Sequence, residues 1–222
     1  MDVSTRSPHL YALMSKGKLI RLKKGAQVGS TGEGHDFMMV VKGYVKRYMI
    51  LSDGSIGVQI IYGEHDVFSF TKAYRKLLGQ SIYDGPETYY YKTMTDTNLL
   101  AIDLELLKEA VQNEPVLYQE LFSEAGAHLK TCVHIIENIS LGNSYARVAH
   151  QLHFMAGEYG EKTSAGVKLK IPVTHQDMAD ILGTTRETVT LAMMKLRDKG
   201  LLGNSRHMVV TSMKRLAKEA YA

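Results

Sequence analysis

Arg186, Glu187 and Thr190 lie within about one helical turn and together offer the chemistry of base recognition: a guanidinium suited to guanine, a carboxylate that accepts from cytosine, and a hydroxyl. They open the second of two short apolar-periodic runs. Met178, Ala179, Ile181 and Leu182 form the apolar face of the first, and Val189, Ala192, Met193 and Leu196 that of the second. Gly183 stands between them as the residue able to turn with positive φ. Two helices packed around such a turn leave the far face of the second one free, and a major groove admits a helix of that kind. Glu187 also stands three residues after Thr184, the spacing of a capping box, which is the alternative reading of that carboxylate. Downstream, Lys199-Gly200-Leu201-Leu202, a polar Asn204-Ser205-Arg206 turn and His207-Met208-Val209-Val210 predict a two-stranded wing. Thr174, Thr185 and Arg206, at the helix starts and the wing turn, are the expected phosphate contacts.

The remaining reactive side chains make a weaker pattern. His150, His153 and Glu158 are what a small hydrolase would have to use, but no nucleophile elbow, phosphate-binding Gly loop or metal triad accompanies them. The two histidines are expected on a solvated helical face. His128 and His134, six residues apart, fall on different helix faces, so neither a metal nor any other cofactor is expected. The one cysteine, Cys132, excludes an intrachain disulfide framework and any cluster needing several thiolates from one chain.

The elements that must position these residues fall into two textures. Short β-like runs at Leu19–Leu22, Asp36–Val41, Tyr44–Ile50, Gly57–Tyr62, Tyr89–Thr93 and Leu99–Ile102 are separated by turns such as Lys24-Gly25, Lys42-Gly43 and Ser52-Asp53-Gly54. They predict an antiparallel roll of the jelly-roll kind, with a helical segment Thr71–Gly79 inserted. From Tyr118 onward Phe122, Ala125, Leu129, Cys132, Ile136 and Ile139 follow alternating steps of four and three, a heptad seam three heptads long. Such a seam implies a parallel homodimer, and Cys132 on it raises a redox-responsive regulator as an alternative. Leu117, Leu121 and His128 make a second stripe, expected to pack on the roll. Asn143-Ser144 caps a run Tyr145–Tyr159 with Val148, Leu152 and Met155 apolar, followed by a polar stretch Gly160–Gly166; Leu141-Gly142-Asn143 reads as a hinge. The expected organisation is α+β: a roll over 1–113, a dimerisation helix over 114–141 and a winged helix-turn-helix over 142–222.

At 222 residues the chain suffices for two cores, and its net charge of +4 is unevenly placed. From Lys168 onward ten Lys or Arg face five Asp or Glu, a mild local excess of the kind that tracks phosphates. There is neither an apolar signal segment nor a run of about 18 apolar residues, so a cytoplasmic protein without membrane contact is expected.

Ile171–Val210 resembles the winged-helix domain of the Crp/Fnr superfamily of bacterial transcription regulators, in which an Arg-Glu-Thr-Val run opens the recognition helix; Arg186-Glu187-Thr188-Val189 matches it residue for residue. The family pattern often has a second Arg four residues after the Glu, where this chain has Leu191. Lys24-Gly25, Gly32-Glu33, Val41 to Lys46 and Asp53-Gly54 are similarly spaced to the superfamily's cyclic-nucleotide-binding-like sensor domain. The resemblance implies a dimeric regulator of a palindromic duplex site, with a small-molecule effector and RNA polymerase as further partners. In the family a Gly-Asp-x-x-Gly-Glu cassette and a later Arg-Ser hold the cyclic phosphate and ribose. Here Asp66-Val67-Phe68 aligns so that Ser69 and Phe70 replace Gly-Glu, and Glu87-Thr88 replaces Arg-Ser. Gly63-Glu64 is read as a turn. Cyclic AMP is therefore not the expected effector; Phe70, Glu87, Thr88, Tyr89 and Tyr91 are the expected pocket residues, with strand packing the alternative for the tyrosines.

Overall fold

The β-like runs of the first hundred residues are strands, and every register described is antiparallel. The computed structural model describes residues 7–29, 37–80, 89–203 and 208–221. Helix α1 is Pro8–Met14, and the strands are β1 (Lys18–Leu22), β2 (Gln27–Val28), β3 (Phe37–Lys42), β4 (Val45–Ile50), β5 (Ile56–Tyr62), β6 (Val67–Phe68), β7 (Tyr89–Thr93) and β8 (Thr97–Ile102). They form two four-stranded sheets, ordered β1-β8-β3-β6 and β2-β7-β4-β5. β2 and β6, two residues each, are too short to carry a periodic signal and escaped sequence analysis. The predicted insert is α2 (Phe70–Leu78), ended by Gly79 in the left-handed region.

β3 is buried on both faces, which is why its Phe-Met-Met-Val reads as an unbroken apolar run. Met38 and Val40 join Val45, Ile60, Tyr62, Phe68, Leu99 and Ala101 inside the roll. Phe37 and Met39 point the other way, into a second core with Leu10 and Met14 of α1 and Leu107 and Val111 of α3 (Leu104–Asn113). Between β3 and β4, Gly43 has φ 95°, and a Cβ there would stand 2.6 Å from Thr95 Oγ1 and 2.7 Å from the Asp96 carbonyl oxygen. Only glycine fits that corner.

The long helix α4 spans Val116–Ser140. As predicted, Leu117 and Leu121 are buried in the helix-side core, and His128 Nε2 meets the Val67 carbonyl oxygen at 3.0 Å. On the same side two carboxylates hold α1: Glu120 accepts from the amides of His9 and Leu10 at 3.2 and 2.7 Å, and Glu124 accepts from Ser7 Oγ at 2.9 Å. A carboxylate at a helix start satisfies orphan N–H groups and faces the positive end of the dipole.

Two units emerge, Met1–Met49 with Ile60–Lys130, and Ile50–Gln59 with Thr131–Ala222. The division falls inside α4 rather than at the expected boundaries near 113 and 141. Thr131–Ser140 groups with the second unit because His134 bonds Gln151 at 2.9 Å and Asn138 bonds Arg147. In that unit α5 (Ser144–Tyr159) is capped by Asn143 as predicted. The stretch after it, read only as polar, forms a hairpin that the sequence reading did not assign: β9 (Gly160–Thr163) and β10 (Gly166–Leu169) pair with each other, and β10 pairs with β11 (Val209–Val210). The wing therefore belongs to a three-stranded sheet, with Leu202 bridging Val210, and its turn at 204–207 lies outside the described residues.

Candidate nucleic-acid interface

Helices α6 (His175–Leu182) and α7 (Arg186–Asp198) form the predicted pair. Met178, Ala179 and Leu182 of the first are buried, as are Val189, Ala192, Met193 and Leu196 of the second, while Ile181 is only half-buried. Gly183 between them has φ 58°, in the left-handed region, and its N–H bonds the Ala179 carbonyl oxygen. Thr185 is the N-cap of α7 and accepts from the Thr188 amide at 3.2 Å, so Glu187 is not the capping partner of Thr184. Its carboxylate is exposed beside the exposed guanidinium of Arg186 in the first turn.

The other predicted contacts are placed differently. Thr190 is half-buried; its hydroxyl donates to the Arg186 carbonyl oxygen at 2.8 Å and lies 2.9 Å from His175 Nδ1. Burial, followed by the charges of Arg197 and Arg186, holds His175 below the usual imidazole pKa. Thr174 closes a capping box, accepting from the Asp177 amide at 3.0 Å and donating to Asp177 Oδ2 at 2.7 Å. That box sets a carboxylate at the start of α6. Thr185 is exposed, and Arg206 lies outside the described residues. Sequence analysis missed Arg147: Nη2 donates to the Leu182 carbonyl oxygen at 2.5 Å, satisfying the end of α6 next to the turn, and Nε donates to Asn138 Oδ1 at 3.2 Å. An arginine early in a helix carries no sequence signal for a partner 35 residues away.

Every residue of the heptad seam is exposed: Phe122 is 82% exposed, Leu129 and Ile136 64%, Ile139 67%, with Ala125 and Cys132 also open. In the first unit, Tyr91 packs on Phe68 and Tyr62 with ring centroids 5.1 and 6.2 Å apart, and Tyr90, on the other strand face, meets Tyr48. Burial raises the hydroxyl pKa of both Tyr62 and Tyr91. The Arg47 guanidinium lies 5.0 Å from the Tyr89 ring centroid. Ser69 adopts φ 72°, a glycine-like backbone at the position aligned with the cassette glycine. Phe70 packs edge-on against Phe37 and His128, and Gly63 and Asp66 close the turn expected there. Glu87 and Thr88 lie outside the described residues.

His150 departs from expectation. It is not on a solvated face but 4% exposed, because the last turns of α4 cover it. His134, Glu137 and His150 bring potential metal-ligand atoms within 4.8 Å of one another. The hydrogen bonds argue for a different use. Arg147 fixes Asn138 from both ends, which turns Asn138 Nδ2 toward His150 Nδ1 at 3.3 Å and leaves the proton on Nε2, 3.1 Å from the Tyr221 hydroxyl. The imidazoles of His134 and His150 stack at 4.5 Å and 16°, so their in-plane lone pairs do not converge. Burial holds both below the usual imidazole pKa.

Residues 146–219 match the family model of the Crp-like helix-turn-helix domain. The CRP-like cAMP-activated global transcriptional regulator of Mycobacterium tuberculosis is 23% identical over 95% of this chain and 92% of its own. The nitrogen fixation regulation protein FixK of Rhizobium meliloti is 24% identical, over 86% and 81%. Among solved structures, FixK2 from Bradyrhizobium japonicum superposes with a TM-score of 0.74 at 22% identity, covering 93% of this chain and 98% of that one. A CooA mutant from Carboxydothermus hydrogenoformans gives 0.73 at 21% identity, over 94% and 90%. Among the described residues no helix is long and apolar enough to cross a membrane.

Proposed function

We propose that this chain is a transcription regulator of the Crp/Fnr type, the reading supported by its match to the Crp-like helix-turn-helix model and its likeness to curated regulators over most of its length, and that it reads a palindromic duplex site as a homodimer. Arg186 and Glu187 contact base edges, and Thr185 and Arg206 hold phosphates. Thr174 joins them only where its capping box opens, and Thr190 only by giving up its bonds to Arg186 and His175. The observation that carries the dimer is the sided burial of α4: one stripe holds α1 and the helix-side core, and the neighbouring stripe, about 100° round the helix, exposes large apolar side chains in heptad spacing. A two-fold dimer presents two recognition helices to half-sites one helical turn apart.

The effector in this reading is a small molecule other than a cyclic nucleotide. A relative is named for activation by cyclic AMP, but in this chain Ser69, Phe70 and Glu87 stand at the cassette's Gly, Glu and Arg positions. An attractive Arg–phosphate pair is thereby replaced by a carboxylate. The aromatic set of Tyr62, Phe68, Tyr89 and Tyr91 with Arg47 favours an aromatic or apolar ligand, or a roll filled by its own side chains. The test is selection of duplexes from a random-sequence pool by the full chain. A two-fold symmetric consensus with half-sites about 10 base pairs apart is expected; a consensus without symmetry contradicts the dimer.

A further inference from the structure

On the recognition helix Leu191 is 61% and Met194 51% exposed, although Val189, Ala192, Met193 and Leu196 of the same helix are buried. Exposed apolar side chains on this helix are not left over from core packing, because the buried face is complete without them. Leu191 follows Glu187 by four residues and Met194 by seven, so the three share one helical stripe. Arg186 and Lys195, both exposed, flank it. The helix climbs about 1.5 Å per residue, and base pairs succeed one another every 3.4 Å or so, which puts Leu191 roughly one to two base pairs beyond the pair met by Glu187.

We propose that Leu191, assisted by Met194, determines specificity by packing on thymine C5-methyl groups in the major groove. This rests on the DNA-reading assignment of Arg186 and Glu187 and extends it along the same face. A thymine methyl is the apolar feature on a major-groove base edge, whereas guanine, cytosine and adenine edges present polar groups there that a leucine would leave unpaired. A protein partner fits less well: two apolar side chains between an Arg and a Lys make far less surface than a stable interface of about 1,000 Å² requires. The half-site read by this chain therefore carries a thymine where a second arginine on the helix would call for guanine.

The test uses the wild-type protein, so no variant has to fold. A duplex selected by the full chain is resynthesised with deoxyuridine at the half-site thymine, which deletes only the methyl. Affinity should fall about fourfold for one half-site and about fifteenfold for both, the worth of one buried methyl each. With Leu191→Ala the thymine and deoxyuridine duplexes should bind equally, and Leu191→Arg should shift selection at that pair toward guanine. The proposal is overturned if the chain selects a defined site yet deoxyuridine at every half-site thymine leaves its affinity unchanged; the DNA-reading assignment then stands without it. Selection of no site at all overturns both.

Discussion

Ile136→Asp tests the seam most severely. Ile136 is 64% exposed on the single chain, and full burial of an isoleucine is worth about 1.5–3 kcal/mol. Its two copies across a two-fold seam therefore contribute about 2–4 kcal/mol, which Ile136→Ala should largely remove. Aspartate adds a carboxylate per chain, facing its symmetry mate in an apolar interface, at several kcal/mol each. The total exceeds about 5 kcal/mol, and at ~1.4 kcal/mol per factor of ten the dimer dissociation constant should rise at least a thousandfold, against about thirtyfold to several hundredfold for alanine. Sedimentation equilibrium of both variants at micromolar concentration reads this directly. Leu78→Asp is the control: Leu78 is 51% exposed on α2, an element that contributes no seam residue, and its variant should remain dimeric. Because Ile136 meets solvent in the single chain, far-ultraviolet circular dichroism should be unchanged. Ile136→Asp persisting as a dimer at micromolar concentration would refute the choice of seam.

Arg186→Ala should cost about 1–3 kcal/mol on the selected duplex and relax preference at one base pair, whereas Arg206→Ala should weaken all sequences alike and lower the salt slope by about one. Equal losses on selected and random duplexes for Arg186→Ala would contradict its role. Calorimetry with cyclic AMP and with cyclic GMP should give no dissociation constant tighter than about 10 μM, or roughly −7 kcal/mol; tighter binding would show the cassette alignment to be wrong. Burial lowers the pKa of His128, His134 and His150, so the unfolded chain takes up protons near pH 6.5 while the folded one resists them. Stability should accordingly be full at pH 7 and decline as pH falls below about 6.5. Urea midpoints that are equal at pH 7 and pH 5.5 would contradict this.

What the sequence disclosed and what it hid follow from the range of the interactions. The helix pair α6–α7 was legible because its apolar spacing and the turn at Gly183 are local. The exposed apolar stripe of α4 was legible for the same reason, since steps of four and three are local. β9 and β10 were hidden because Gly160-Glu-Lys-Thr is a largely exposed edge with no apolar alternation, and their pairing with β11 joins segments some forty residues apart. His150 was misplaced because its helix looks solvated until the last turns of α4 cover it. Arg147 and Glu120 resemble ordinary surface charges in sequence; their roles exist only where a distant helix end supplies unsatisfied backbone groups.

A native mass spectrum of the full chain mixed with its selected duplex tests the account most directly, since it counts chains per site. The account requires two 24.8 kDa chains on one duplex, and the same pair of chains on a shortened duplex holding one half-site, with greatly reduced affinity. One chain per full site, or equal affinity for the half-site and the whole, would contradict it.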